Sequence, residues 1–96
     1  MTANPTKALS TSVAIVRIRL KDGVLDPQGV TIHKALRTLG FDKALGVRSG
    51  KYYEIELAED SPETRDQVRK MCENALVNQV IENYTIEWLG GVPAKT

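Results

Sequence analysis

The stretch VRSGKYYEIEL, Val47 to Leu57, decides how the rest of the chain is read. After a glycine come two tyrosines, and then glutamates alternate with aliphatics, the two-residue period of a half-buried strand. On a small α/β domain such aromatics could stack RNA bases, provided they stood on an open face within a basic surround. The alternation argues otherwise. With Tyr53, Ile55 and Leu57 turned toward a core, Tyr52, Glu54 and Glu56 face outward, and the two carboxylates repel phosphate. The whole chain agrees: 13 basic residues against 12 acidic ones leave a net charge of +1, so no excess field draws it to nucleic acid or an anionic membrane.

Working upstream, SVAIVRIRLK reads as a strand with Ala14, Val16, Ile18 and Leu20 on one face and Val13, Ile15, Arg17, Arg19 and Lys21 on the other. Asp22-Gly23 ends it. In VLDPQG, Asp26 is an N-cap and Pro27 a first helical residue. The helix that follows carries a narrow apolar stripe of Ile32, Leu36 and Leu39 with Ala35 beside it. Gly40 closes it and Phe41 tucks under its end. KALGVRSGKYYEIEL then predicts two short strands joined by a tight turn at Ser49-Gly50, with Gly50 supplying a positive φ.

Downstream, Ser61-Pro62-Glu63 opens a second helix. Its set Val68, Met71, Cys72, Ala75 and Leu76 follows i, i+3, i+4, i+7, i+8, and Asn78 stops it. VIENYTIEWL sets Tyr84, Ile86 and Trp88 against Thr85, Glu87 and Leu89 as a last strand. The order β-α-β-β-α-β predicts an α+β, ferredoxin-like single domain: a four-stranded antiparallel sheet with two helices on one face and the first strand central. On the open face, Glu54 and Glu56 are expected opposite Arg17 and Arg19, with Glu87 on the far side, as cross-strand ion pairs.

A chain of 96 residues, 42% hydrophobic and 26% charged, has material for one domain. The expected division is a disordered leader at 1–11, a folded domain at 12–89 and a flexible tail at 90–96. One cysteine makes no internal disulfide, and no run of about 18 apolar residues offers a span, so a soluble, cytoplasmic protein is expected.

Catalytic chemistry is thin. His33, the single histidine, has no nucleophile predicted beside it and reads as a polar helix residue. Cys72 lies in the second helix's apolar stripe and reads as a small core hydrophobe. The glycines at 23, 29, 40, 46, 50, 90 and 91 form no phosphate-cradling motif. No catalytic, cofactor-binding or metal residue is expected.

Four segments, LDPQG at 25–29, ALRTLGF at 35–41, VRSGKYYEIEL at 47–57 and MCENALVNQVIENYTIE at 71–87, together resemble the PurS family, the small accessory subunits of phosphoribosylformylglycinamidine synthase. The resemblance runs from about Val13 to Trp88. Two departures stand out: the family's N-P-V-I-E is Asn78-Gln79-Val80-Ile81-Glu82 here, and its G-K-Y-aliphatic-E is Gly50-Lys51-Tyr52-Tyr53-Glu54, a larger residue at a core position. The resemblance implies a non-catalytic subunit that dimerises and joins a glutaminase subunit to an ATP-dependent synthetase subunit, so that ammonia from glutamine reaches formylglycinamide ribonucleotide in purine biosynthesis. It implies no cofactor in this chain, ATP and magnesium being used by the synthetase subunit. The competing reading is a βαββαβ regulatory module of the ACT type, which would bind a small ligand such as an amino acid.

Two surfaces are singled out. The outward sheet face, with Val13, Ile15, Arg17, Arg19, Glu54 and Glu56, is apolar and oppositely charged by turns, and suits a two-fold contact in a homodimer or dimer of dimers. The turns carrying Asp26, Gln28, Gly29, Arg48, Lys51 and Tyr52 hold more polar side chains than capping and turning require, and are the candidate sites for partner enzymes.

Overall fold

The computed structural model describes residues 12–90. The expected leader, and the expected tail beyond Gly90, lie outside the described residues. In chain order come β1 (Ser12–Leu20), α1 (Pro27–Thr38), β2 (Gly50–Leu57), α2 (Pro62–Met71) with a π-helical turn (Cys72–Leu76), and β3 (Glu82–Leu89). The sheet is antiparallel with order β2-β1-β3, so the first strand is central as expected.

The core lies on one face of this sheet. Ala14, Val16 and Ile18 of β1 are at most 1% exposed and pack with Val68, Cys72 and Val77, while Ile55, Leu57, Leu76, Tyr84, Ile86 and Trp88 close around them. α2 starts where the sequence says: Ser61 Oγ accepts from the Thr64 amide at 3.1 Å and Pro62 takes the first helical position. Its C-terminal end corrects the sequence expectation. The π-helical turn widens the spiral, with the Val77 amide donating to the Cys72 carbonyl at 2.9 Å. A wider turn rotates the following residues on the helix face, so Val77 enters the core while Ala75 stays exposed and Met71 is 37% exposed.

The register also departs from expectation. Glu54 and Glu56 stand opposite Ile15 and Val13, not opposite the arginines; Arg17 faces Tyr52 and Arg19 faces Gly50. Arg17 instead reaches diagonally to Glu87, at 2.9 Å, and lies 5.8 Å from the Tyr52 ring centre. Gly50 sets this register. Its φ is not positive; instead, a Cβ there would collide with the Ile18 carbonyl oxygen. It is glycine because two strands meet closely, and it makes no turn.

The largest difference is the missing fourth strand. Among the described residues the sheet has three strands, and residues 44–49 belong to none of them. This segment runs back along α1 as a strap. His33 Nε2 donates to the Ala44 carbonyl at 2.7 Å, and the Val47 carbonyl lies where a Cβ on Gly29 would sit. At the base Asp26 takes the Ser49 amide at 2.6 Å and the Ser49 hydroxyl at 2.7 Å. A strap held to the helix in this way is not paired with β2. The far end of α1 is a well-formed C-terminus, with Gly40 at φ +95° and the Phe41 amide donating to the Leu36 carbonyl at 2.9 Å, the six-to-one bond of a Schellman motif. Phe41 is nevertheless 59% exposed.

α1 and its strap therefore form an arm, and α1 does not share the core with α2. In α1 only Gly29 is buried, and the expected stripe is open: Ile32 is 40% and Leu39 71% exposed.

Candidate functional site

The two turns singled out in the sequence meet at the base of the arm. Asp26 is the organising residue. Besides Ser49 it accepts from the Gly29 amide at 2.9 Å, the expected N-cap bond. The Ser49 amide foremost, then that of Gly29, holds its carboxyl below the usual range. Gly29 is explained by the same geometry, since a Cβ would meet both the Val47 carbonyl and the Asp26 carboxylate. Arg48 closes the base from the other side, donating to Asp22 at 3.0 Å and to the Leu20 carbonyl at 3.1 Å.

Between this base and the sheet lies a cleft of about 250 Å³. Ile18, Leu20 and Pro27 supply its apolar wall, and Asp26, Gln28, Lys51 and Glu82 its polar rim. Glu82 is the residue that sequence reasoning missed. It is only 9% exposed; its Oε1 accepts from the Asn78 amide at 2.8 Å and its Oε2 lies 3.3 Å from Lys51 Nζ. The Asn78 amide first, and Lys51 after it, keep its carboxyl below the ordinary value. The signal was available, because Glu82 shares the inward parity of Tyr84, Ile86 and Trp88. It caps a turn in which the Glu82 amide donates to the Asn78 carbonyl at 2.7 Å and the Val80 amide to the Asn78 side chain at 3.1 Å. That turn forms with Gln79 at its second position.

The remaining candidates are placed as follows. Gln28 is exposed on the cleft rim with no hydrogen-bond partner among the described residues. Tyr52 points away from the cleft to the other sheet face, donating to Glu54 at 2.9 Å. On that face Val13 and Ile15 are already 8% and 9% exposed within the single chain, covered by their neighbours on β2 and β3. Tyr53, expected as a core residue, is 38% exposed. Cys72 is fully buried and burial raises its thiol pKa. Among the described residues no group of three His, Cys, Asp or Glu side chains is placed to hold a metal ion, and no helix is long and apolar enough to cross a membrane.

These features define a small α+β domain that presents surfaces: an apolar-walled cleft with a charged rim, an outer sheet face and an apolar arm. A family model described as PurS, phosphoribosylformylglycinamidine (FGAM) synthase, matches residues 13–90, and the chain belongs to this family. It is 42% identical to the PurS subunit of Archaeoglobus fulgidus over 77 residues, 79% of this chain and 96% of that one. To the Bacillus subtilis subunit it is 39% identical, over 75% and 86% of the two chains. Among solved structures, PurS of Methanocaldococcus jannaschii superposes with a TM-score of 0.75 at 38% identity, over 82% of this chain and 96% of that one. A chain of the PurLQS structure from Thermotoga maritima superposes with a TM-score of 0.74 at 31% identity, over 82% and 98%. The ACT-type reading is not favoured by these matches.

Proposed function

We propose that this chain is the non-catalytic bridging subunit of an FGAM synthase, holding a glutaminase subunit and an ATP-dependent synthetase subunit in register so that glutamine-derived ammonia passes between them. The observation that carries this reading is the match to a chain of the PurLQS structure over 82% of this protein. In this role the chain binds no cofactor itself; ATP and magnesium serve the synthetase. It acts in the cytoplasm as a homodimer or dimer of dimers, and the arm base with its cleft is a docking point for an enzyme subunit.

Gln28 gives the cleanest test of the docking point, because its side chain is exposed and has no hydrogen-bond partner among the described residues. Exposed substitutions of this kind change stability by about 0.5 kcal/mol or less. Gln28→Ala is expected to melt like the parent, to weaken capture of the glutaminase or synthetase subunit, and to lower glutamine-dependent synthesis more than ammonia-dependent synthesis. The paired Arg48→Ala, Lys51→Ala variant needs a melting control, since these side chains also brace Asp22 and Glu82. Parental assembly and parental glutamine-dependent turnover in both variants would remove the docking point. Failure of the parent chain to bind either enzyme subunit would remove the bridging role.

A further inference from the structure

The outer face of the sheet changes chemistry along its length. Toward one end it is apolar and acidic, with Glu54 and Glu56 opposite Ile15 and Val13. Toward the other, Arg17 and Arg19 of β1 stand opposite Thr85 and Asn83 of β3, a block of four polar side chains on one face of two adjacent strands, with opposed Cβ atoms about 5 Å apart. Arg17 is held in place: its Nη1 donates to Glu87 at 2.9 Å, and its guanidinium lies 5.8 Å from the Tyr52 ring centre. Arg19 has room because its neighbour on β2 is Gly50, where a Cβ would stand 3.3 Å from the Arg19 Cγ. On the β3 side of the two arginines lies a hollow of about 350 Å³, lined by Arg17, Arg19, Asn83, Tyr84 and Thr85.

The donors around this hollow are largely uncommitted. Among the described residues the side chains of Arg19, Asn83 and Thr85 make no hydrogen bond or ion pair, and Arg17 gives one N–H to Glu87. Lys21, which continues the β1 ladder by donating its amide to the Ile81 carbonyl at 2.8 Å, adds a cation that also forms no ion pair among the described residues. Three cations, Arg17, Arg19 and Lys21, thus face one anion, Glu87, and the excess of two positive charges matches the charge of about −1.5 to −2 on a phosphate monoester at neutral pH. One guanidinium fork satisfies a carboxylate, whereas a phosphate group offers acceptors on three oxygens and takes both arginines with Asn83 or Thr85 beside them. The occupant is also compact, because a nucleic-acid strand or an acidic protein segment would run on to Glu87, Glu54 and Glu56, which repel it. We propose that this hollow is an anion site for a phosphate group, borne by inorganic phosphate or by a small phosphate ester. Arg17, already fixed by Glu87 and Tyr52, is ordered before the ligand arrives, which lowers the cost of binding. The site lies on the opposite face of the sheet from the cleft at the arm base and does not rest on the bridging role.

The test follows the amide resonances of the full chain, without enzyme subunits, as sodium chloride is replaced at constant ionic strength by inorganic phosphate or by glycerol phosphate. Saturable shifts are expected at Arg17, Arg19, Asn83 and Thr85. Arg19 and Asn83 are exposed, so their substitution leaves the core intact; Arg19→Gln and Asn83→Asp are each expected to raise the apparent dissociation constant for phosphate about tenfold or more. Arg37→Gln, which removes an exposed cation of α1 outside the hollow, should bind phosphate like the parent. Glycerol phosphate binding at least as tightly as inorganic phosphate identifies an ester as the ligand, and tighter binding of inorganic phosphate identifies the free ion; either result supports the site. The proposal is overturned by the absence of saturable shifts at these four residues, by equal shifts in chloride alone, or by undiminished binding in Arg19→Gln. Acetate binding as tightly as phosphate would assign the hollow to a protein carboxylate and refute it. A change of sedimentation in Arg19→Gln would assign this face to a contact between copies and refute it as well. Every readout is on the chain alone, so failure here leaves the bridging role standing, and failure of the chain to bind an enzyme subunit leaves the anion site standing.

Discussion

Glu82 is a nearly buried carboxylate whose removal has a calculable consequence. Glu82→Ala leaves the Asn78 amide without its acceptor, a loss of about 1.5–3 kcal/mol for a hydrogen bond to a charged group. The Lys51 contact adds about 1 kcal/mol at most, because that side chain is half-exposed. The expected total of about 1.5–4 kcal/mol corresponds to a fall in Tm on the order of 10–30 °C for a domain of this size. Glu82→Gln retains an acceptor for the amide and gives up only the charge, so about 1 kcal/mol is expected. The two variants also separate by pH. The folded carboxyl lies below its ordinary 4.5, so its stabilisation is present above that value and is lost as pH falls through the depressed folded value. Urea melts between pH 7 and 3 should therefore show the parent's advantage over Glu82→Gln shrinking toward zero in acid. Urea stability of Glu82→Ala within about 0.5 kcal/mol of the parent at pH 7 would refute the reasoning.

Three further outcomes follow from the packing. Gly50→Ala drives a Cβ into the Ile18 carbonyl and should destabilise the domain by about 1–3 kcal/mol, measured by urea unfolding; a neutral result would mean that β2 and β1 are not so close. Asp26→Ala removes both contacts to Ser49 and the N-cap bond to Gly29. The amides of Ser49 and Gly29 should then exchange with solvent markedly faster, while the amides of Val16 and Ile18 keep their protection. Cys72, fully buried with its thiol pKa raised, should resist alkylation at neutral pH and react at the rate of unfolding; rapid labelling of the native protein would place it elsewhere.

What the sequence determined by itself was local. The alternation in β1, β2 and β3 specifies strands and faces, because side chains alternate across a pleat whatever the strands pair with. Asp26-Pro27 and Ser61-Pro62 specify helix starts, because an N-cap and a first-turn proline act within four residues. Gly40 specifies a helix end for the same reason. The near-balance of charge argues against RNA binding, the lack of a nucleophile-base pattern argues against catalysis, and the four motif segments carry the likeness to the PurS family to which the chain belongs. Tertiary structure decided the rest. The register that sets Glu54 against Ile15, the close approach that requires Gly50, and the rotation that exchanges Ala75 for Val77 all depend on neighbours far away in sequence. The position of α1 is the largest such case. Its apolar stripe states that something must cover it, but hydrophobic burial is non-directional, so the stripe does not say which sheet. Asp26, Ser49 and His33 hold the strap to the helix, and α1 contributes no residue to the core that α2 and the sheet share. Glu82 shows the same division in a single residue: its inward parity is legible in the chain, while its partners Asn78 and Lys51, four and thirty-one positions away, are brought to it only by the fold.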